Sequence, residues 1–209
     1  MKTTCSKQPV TLIKQANIYP DRGLVTRSER NQRHGHQSGV IWLTGLSGAG
    51  KSTIASGVEQ DLFAIGSLVS ILDGDSLRAG LNADLDFTVK SREENLRRAG
   101  EVATLFADTG HIVIASFVSP HHHGRQFVKN IVRENFYLVH IKADVEDCID
   151  RDPKGLYKKA MDGRISNFTG VGQSYEDPHD ADLVINTSEN SIDECRKLLL
   201  DFIQSRFCV

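Results

Sequence analysis

Several features that would assign this chain to a particular class of protein are scarce or missing. No apolar run approaches the length of a membrane span, and residues 1–15 are polar and lack the apolar core of a signal peptide. Charge of one sign is not in excess either, because the formal net charge is only −2. We therefore expect no broad basic surface for nucleic acid or for an anionic membrane, and any anion site has to be local.

Cysteine is sparse as well. The chain has four cysteines and no C-x-x-C pair, and they stand far apart at Cys5, Cys148, Cys195 and Cys208. This spacing argues against a disulfide framework and against a zinc site. We therefore expect reduced cysteines in a cytoplasmic protein, with Cys195 in the core.

One stretch carries a strong functional signal. It fits the pattern G-x-x-x-x-G-K-[ST] at every required position, with a strand pattern before it at 40–44 and a helical pattern after it at 54–62. Glycine N–H groups and a helix N-terminus are suited to surround phosphate oxygens. In such a loop Lys51 reaches the β- and γ-phosphates and the Ser52 hydroxyl holds Mg²⁺. The motif predicts a nucleoside triphosphate, but it does not specify the reaction.

Further apolar runs alternate with helical patterns along the chain. Five strands are predicted, at 40–44, 68–72, 112–118, 136–141 and 182–186. Such alternation predicts an α/β fold, with a parallel sheet covered by helices on both faces and right-handed crossovers. A phosphate loop after the first of five strands is the P-loop kinase architecture, and 209 residues suffice for one such domain.

Two carboxylates follow the second predicted strand, in Asp73-Gly74-Asp75. Because open parallel sheets bind ligands beyond the carboxyl ends of their strands, both are candidate site residues. The next long helix begins with Arg92, Asn95 and two further arginines, Arg97 and Arg98. Cations there oppose the helix dipole, so a bound anion would explain them, but ordinary solvated arginines explain them equally well.

Two S-x-x-E patterns predict where helices begin. Ser91 with Glu94 and Ser191 with Glu194 each fit a capping box. At the first of these helices Thr88 is an alternative cap.

Three other segments complete the organisation. Residues 154–180 are polar and glycine-containing, which is typical of a mobile lid. The histidine run at 121–123 fits either a metal site or a solvated helix start, and we favour the second because adjacent helical residues point in different directions. Residues 1–27 are expected to form an N-terminal arm, with the kinase domain at 28–209 and a short helix around 28–30.

Several stretches together resemble the adenylylsulfate kinase (APS kinase) family. KGLYKKA at 154–160 and NFTG at 167–170 are specific to this family, and the likeness extends from about residue 28 to the C-terminus. The other matching pieces are 45–53, 72–75 with Arg78, 84–87, the cluster at 92–98, 117–120, 151–153 and 175–176. The resemblance implies Mg²⁺-dependent transfer of the γ-phosphoryl group of ATP to the 3′-hydroxyl of adenosine 5′-phosphosulfate (APS). The product would be 3′-phosphoadenylyl sulfate, made during sulfate assimilation.

The resemblance also implies roles for individual residues. It implies that Asp75 orients or deprotonates the attacking hydroxyl, and that Phe87 and Phe168 sandwich the substrate adenine. The implied catalytic residues are Asp75, Lys51 and Ser119, and the implied metal-binding residues are Ser52 and Asp73. The implied ATP-binding residues are Gly45, Leu46, Ser47, Gly48, Ala49, Gly50, Lys51, Ser52 and Thr53. The implied substrate-binding residues are Arg78, Phe87, Arg92, Asn95, Lys154, Leu156 and Phe168.

Ser119 matches a serine assigned as a phosphorylated intermediate in some bacterial members of the family. In-line transfer from ATP to a bound hydroxyl needs no covalent intermediate, and no histidine base for Ser119 is evident in the sequence. We therefore favour direct transfer.

The sequence departs from the family pattern in places. Asp86 stands where the family commonly has glycine, His122 where it has arginine, and Met161-Asp162 where it has Arg-Ala. Asp86 would bring a negative charge near an anionic substrate. The family is usually dimeric, which implies a homodimer.

Two other functions stay open at this point. One is a P-loop kinase for a nucleoside or a sugar acid, against which the paired phenylalanines argue because they favour a purine-bearing acceptor. The other is a nucleotide-binding regulator without catalysis, against which the intact Lys51, Asp75 and Arg78 argue.

Overall fold

The structure, a computed structural model, describes residues 23–207. Most of the predicted N-terminal arm, together with Cys5 and Cys208, lies outside the described residues. The predicted strands are all present, with bounds that differ from the prediction by at most two residues at either end. They are β1 (Gly39–Thr44), β2 (Val69–Asp73), β3 (Ile112–Ser116), β4 (Phe136–Lys142) and β5 (Leu183–Asn186).

These strands form one sheet in the order β2-β3-β1-β4-β5, and every neighbouring pair is parallel. The carboxyl ends of all the strands therefore lie at the same edge. The loop that follows β1, the strand at the centre, leaves the sheet at this edge. The predicted α/β fold with a five-stranded parallel sheet is confirmed.

Most helices of the described residues lie between strands, while the first precedes β1 and the last follows β5. The N-terminal helix lies where a short helix is predicted, and it begins with a capping box between Thr26 and Glu29. The helices are α1 (Arg27–His34), α2 (Lys51–Ala64), α3 (Gly74–Ala79), α4 (Val89–Asp108), α5 (His122–Val132), α6 (Val145–Arg151), α7 (Leu156–Met161) and α8 (Ile192–Phe207).

Each face of the sheet has its own core. On one face Ile41 and Leu43 of β1 pack with α2 and α8, and Cys195 is fully buried there as predicted. On the other face Val40 and Trp42 pack with α4 and α5. Successive residues of β1 alternate between the two cores because strand side chains alternate between faces. Helices on both faces, as predicted, thus hold the central strand rigidly from both sides.

Two short helices are not predicted from the sequence. The first, α3, carries Asp75 and Arg78 and is capped by the Asp73 carboxylate, which accepts a hydrogen bond from the Asp75 amide at 2.9 Å. The second, α7, lies inside the predicted lid. Helices of six residues show too little periodicity to be recognised in a sequence.

None of the helices within residues 23–207 is both long and apolar enough to cross a bilayer. Cys148 and Cys195 are free thiols, and both are buried.

Candidate active site

A cleft of about 750 Å³ opens at the carboxyl edge of the sheet. The phosphate loop and α2 form its floor, α3 and the start of α4 form one side, and the segment after α6 covers it. Residues from both halves of the chain meet here. The predicted site residues that line it are Ser47, Gly48, Gly50, Lys51, Ser52, Thr53, Asp73, Asp75, Arg78, Phe87, Arg92, Asn95, Ser119, Lys154, Leu156 and Phe168.

Three predicted ATP-binding residues of the phosphate loop do not line the cleft. Ala49 is fully buried, and Leu46 packs against the core. Gly45 lies so close to the Ile141 carbonyl that a side chain would overlap it. These three residues therefore support the loop by packing against the rest of the protein. Any contact that they make with a phosphate is made by their backbone.

Lys51 is the first residue of α2 and is buried beneath the phosphate loop. Its ammonium group donates hydrogen bonds to the carbonyls of Gly45 at 3.0 Å and Leu46 at 2.8 Å. Burial lowers the pKa of Lys51 to about 8. A phosphate group would supply the negative charge that this buried ammonium lacks.

The Ser52 hydroxyl donates a hydrogen bond to Asp73 Oδ2 at 2.8 Å. The two residues come from α2 and from the end of β2, and both line the cleft beside the phosphate loop. A hydroxyl and a carboxylate are oxygen ligands of the kind Mg²⁺ prefers. The two groups therefore fit a magnesium site.

Asp75 extends into the cleft from α3, and its carboxylate pairs with the ammonium group of Lys154. Both side chains are at least half exposed, so the pair is accessible from the cleft and a substrate can displace it. Since Lys154 follows α6, the contact joins α3, at one side of the cleft, to the segment that covers it.

Two arginines surround the Phe87 ring. The Arg78 guanidinium carbon lies 4.4 Å from the ring centroid, and that of Arg92 lies 5.9 Å away. Arg92 also donates to the Asn167 carbonyl at 2.7 Å, which connects the start of α4 to the covering segment. A flat aromatic ring with two cations beside it suits a ligand that is aromatic at one end and anionic at the other.

The remaining predicted substrate residues complete this half of the cleft. Asn95 is buried and accepts a hydrogen bond from the Asn82 amide at 3.0 Å. Phe168 stands edge-on to Tyr157, with the ring centroids 5.0 Å apart. The Tyr157 hydroxyl in turn donates to the Ser47 carbonyl at 3.1 Å, so the covering segment rests on the phosphate loop.

The family model for adenylylsulphate kinase matches residues 37–186. The chain belongs to the adenylylsulphate kinase family. Two curated relatives are the adenylyl-sulfate kinases of Bacillus licheniformis and Acaryochloris marina. The first is 46% identical over 183 residues, 87% of this chain and 93% of that protein. The second is 43% identical over 196 residues, 93% of this chain and 96% of that protein.

A solved structure gives the same result for the fold. The Mycobacterium tuberculosis APS kinase CysC, in complex with AMPPNP and APS, superposes with a TM-score of 0.78 at 42% identity. The match covers 80% of this chain and 98% of that one. The predicted family and the P-loop kinase fold are confirmed.

The residues that depart from the family pattern do not line the cleft. The Asp86 carboxylate accepts hydrogen bonds from the Thr88 amide and hydroxyl, and hydrogen bonds from Ser91 and Thr88 lower the pKa of Asp86 to about 2. Asp86 is not among the residues that line the cleft. His122 donates its backbone N–H to Glu176 at 2.7 Å.

The histidine run contacts carboxylates on neighbouring elements. His121 Nδ1 lies 3.2 Å from Glu176, and His123 Nε2 lies 3.1 Å from Glu93. Across residues 23–207, no three His, Cys, Asp or Glu side chains are grouped so that they could hold a metal ion. The run therefore connects α5 to the end of the predicted lid and to α4.

The three arginines at the start of α4 have two different environments. Arg92 lies in the cleft with Asn95, as a bound anion would require. Arg97 and Arg98 instead pair with Glu94, and Arg98 also holds Asp84 at 2.7 Å. These last two arginines are neither free for an anion nor simply solvated.

One end of the cleft was missed by the sequence analysis. It is lined by residues that follow β5 and α6, where Arg151 donates to the Thr187 hydroxyl at 3.0 Å and Thr187 donates to the Ala49 carbonyl at 3.1 Å. Thr187 directly follows a parallel strand, and that position was a usable signal. The full set is Arg151, Pro153, Thr187, Asn190, Ser191, Ile192 and Cys195.

Proposed function

We propose that this cleft transfers the γ-phosphoryl group of ATP directly to the 3′-hydroxyl of adenosine 5′-phosphosulfate, giving ADP and 3′-phosphoadenylyl sulfate. The main support is that five residues spread over the chain line one continuous cleft. They are Lys51, Asp75, Arg78, Phe87 and Phe168. Family membership supports the same activity, because the curated relatives bear the name adenylyl-sulfate kinase.

The phosphates of ATP bind at the phosphate loop. Lys51 exchanges its two carbonyl partners for phosphate oxygens, and the backbone N–H groups at the start of α2 point toward the same place. The nucleoside of ATP then extends toward the end of the cleft lined by Arg151 and Thr187. APS takes the opposite end, where the aromatic and cationic residues lie.

Ser52 and Asp73 would hold Mg²⁺ beside the phosphates. When bound there, the ion would neutralise charge on the β- and γ-phosphoryl oxygens. The Asp73 carboxylate also caps α3, so the same side chain fixes the helix that carries Asp75. The spacing between the metal-binding groups and Asp75 is therefore set by one residue.

The acceptor is recognised at both of its ends. Phe87 and Phe168 stack on the adenine, while Arg78, Arg92 and Asn95 bind the phosphosulfate oxygens. Guanidinium forks match such oxygens with two parallel hydrogen bonds. Arg78 now lies against Phe87, so it has to turn toward the anion when the adenine takes its place on the ring.

Asp75 orients the 3′-hydroxyl and accepts its proton. As the hydroxyl oxygen forms its bond to the γ-phosphorus, the bond between that phosphorus and the β–γ bridging oxygen breaks, and ADP leaves with the electron pair. Lys154 pairs with Asp75 until the acceptor arrives and then turns to the substrate. A positioned base of this kind contributes about 10²–10⁴-fold to the rate.

The test is product analysis. Incubation with ATP, Mg²⁺ and APS is expected to give 3′-phosphoadenylyl sulfate by mass spectrometry. Coupled ADP release across a panel of nucleosides and sugar acids tests the alternative acceptors, and release with none of them would leave a nucleotide-binding regulator. The homodimer and the cytoplasmic location remain predictions.

A further inference from the structure

A buried network of hydroxyl groups beside the cleft connects distant parts of the chain. Trp42 Nε1 donates to Ser119 Oγ at 3.1 Å, and Ser119 Oγ donates to Thr44 Oγ1 at 2.9 Å. Thr44 Oγ1 lies 3.0 Å from the hydroxyl of Tyr175, near the end of the predicted lid. Thr44 is the last residue of β1 and directly precedes the phosphate loop.

The direction of each hydrogen bond follows from what the atoms can do. Thr44 Oγ1 lies 2.8 Å from the Val118 carbonyl, which can only accept, so Thr44 donates its proton there. Its lone pairs then accept from Ser119 and from Tyr175. Each hydroxyl group of the network thus donates its proton to a hydrogen bond within the protein. The proton of Ser119 points at Thr44 rather than at the cleft.

The backbone strengthens the same attachment. Ser119 has φ of 35°, a conformation unusual for a residue with a side chain, and its carbonyl accepts from Arg125 at 2.9 Å. Arg125 is almost fully buried and also donates to the Glu176 carbonyl at 2.8 Å. The Glu176 amide donates to the Pro120 carbonyl at 2.9 Å. Residues 175–176 are thus fixed to the turn that contains Ser119.

From this geometry we infer that Ser119 and Tyr175 are positioning residues, which tether the distal end of the lid to Thr44, and that the Ser119 hydroxyl is not a phosphoryl acceptor. The inference rests on the proposed function for the identity of the substrates. The predicted lid runs to residue 180, so the contacts of Tyr175 and Glu176 fix its distal part to the turn that contains Ser119.

A phosphorylated Ser119 conflicts with this environment. Only 2% of the residue is exposed, and its hydroxyl is bonded to Trp42 and Thr44. A phosphoryl group would bring three oxygens and nearly two negative charges into that space. It would separate the two partners that the hydroxyl now joins.

Hydrogen exchange tests the tether without any need for turnover. Tyr175→Phe removes the hydroxyl but keeps the ring that stacks on His140. We expect amides in 170–178 to exchange roughly fivefold faster, the effect of one lost hydrogen bond. Tyr137→Phe is the matched control, because the Tyr137 ring packs on Phe202 and Phe207 across the sheet. Exchange in Tyr175→Phe equal to that of the unaltered protein would overturn the tether.

Kinetics distinguish positioning from mere stability. A looser lid lowers the fraction of protein competent to bind APS, so Tyr175→Phe should raise KM for APS roughly fivefold at unchanged kcat. A residue that only supports folding would lower the apparent kcat and leave KM alone. That second pattern contradicts the inference.

The role of Ser119 is decided on the unaltered protein and on Ser119→Ala. In the unaltered protein, rapid quench with ATP followed by intact-mass analysis should show no covalent phosphate. Ser119→Ala should keep kcat within about threefold. Its KM for APS should rise, because the lid is less ordered. A kinetically competent phosphoserine, or a folded Ser119→Ala without turnover, overturns the inference. If Ser119→Ala does not fold, the quench result decides alone. Failure to phosphorylate APS would instead refute the proposed function. The hydrogen-exchange test of the tether would still be valid, because it needs no turnover.

Discussion

Lys51 makes ATP binding sensitive to pH in a direction that the structure fixes. Burial holds the pKa of Lys51 at about 8, well below the usual range for lysine. In the free protein the ammonium form therefore falls from about 90% at pH 7 to about 10% at pH 9. Bound phosphate favours the charged form, so ATP affinity should fall about tenfold over this range, and binding at pH 8 should take up about half a proton.

Isothermal titration calorimetry with ATP in the absence of acceptor measures both effects. Buffers of different ionisation enthalpy at pH 8 report the proton uptake, and titrations from pH 7 to 9 report the affinity. Cys148 also lies close to Lys51, and burial raises the pKa of its thiol, which works against a thiolate beside the ammonium group. Lys51→Arg is the control, because its guanidinium stays charged and its affinity should not change with pH. Zero proton uptake together with constant affinity would refute the reasoning.

Three further predictions concern the acceptor side and the fold. Asp75→Asn should lower kcat about 10²–10⁴-fold with little change in KM for ATP. The control Asp86→Asn should keep near-normal turnover. Equal kcat in both variants would contradict the assignment of Asp75 as the base. Phe87→Ala should raise KM for APS about 5–150-fold in steady-state assays, since stacking contributes about 1–3 kcal/mol per base. An unchanged value would exclude stacking there. Gly39→Ala should lower the free energy of unfolding by about 1–3 kcal/mol in urea titrations, because a Cβ would overlap the carbonyl oxygen of the loop before β4. Gly80→Ala should cost less, because a Cβ there would meet only the Ser76 carbonyl oxygen, at 4.0 Å. Equal costs would contradict the packing argument.

Local patterns predicted the parts of the fold that short-range physics determines. The strands and the phosphate loop were found because their apolar runs and glycine spacing are continuous in sequence. The two S-x-x-E patterns show the limit of prediction from local sequence. Ser191 and Glu194 form the predicted box, with Glu194 accepting from the Ser191 amide at 2.8 Å. The same pattern at Ser91 fails, because Thr88 caps α4 and Glu94 pairs with arginines of its own helix.

The candidate site depended on a different kind of information. Asp73 and Asp75 were found from their position after a strand, but Phe168 was identified by family resemblance, because nothing local places it near the phosphate loop. Contacts between segments far apart in sequence were missed altogether. Thr44 and Tyr175 are 131 positions apart, and neither belongs to a polar pattern that would pair them. Such contacts follow from the assembled fold and are not visible in any window of the sequence.

The central claim is that two nucleotides lie end to end in one cleft. A crystal structure of this chain with a non-hydrolysable ATP analogue and APS tests it most directly. The 3′-oxygen of APS should face the γ-phosphorus within about 3.5 Å, with the Asp75 carboxylate in hydrogen-bond reach of that oxygen. APS bound outside the cleft, or bound with its ribose turned away from the γ-phosphate, would contradict the account.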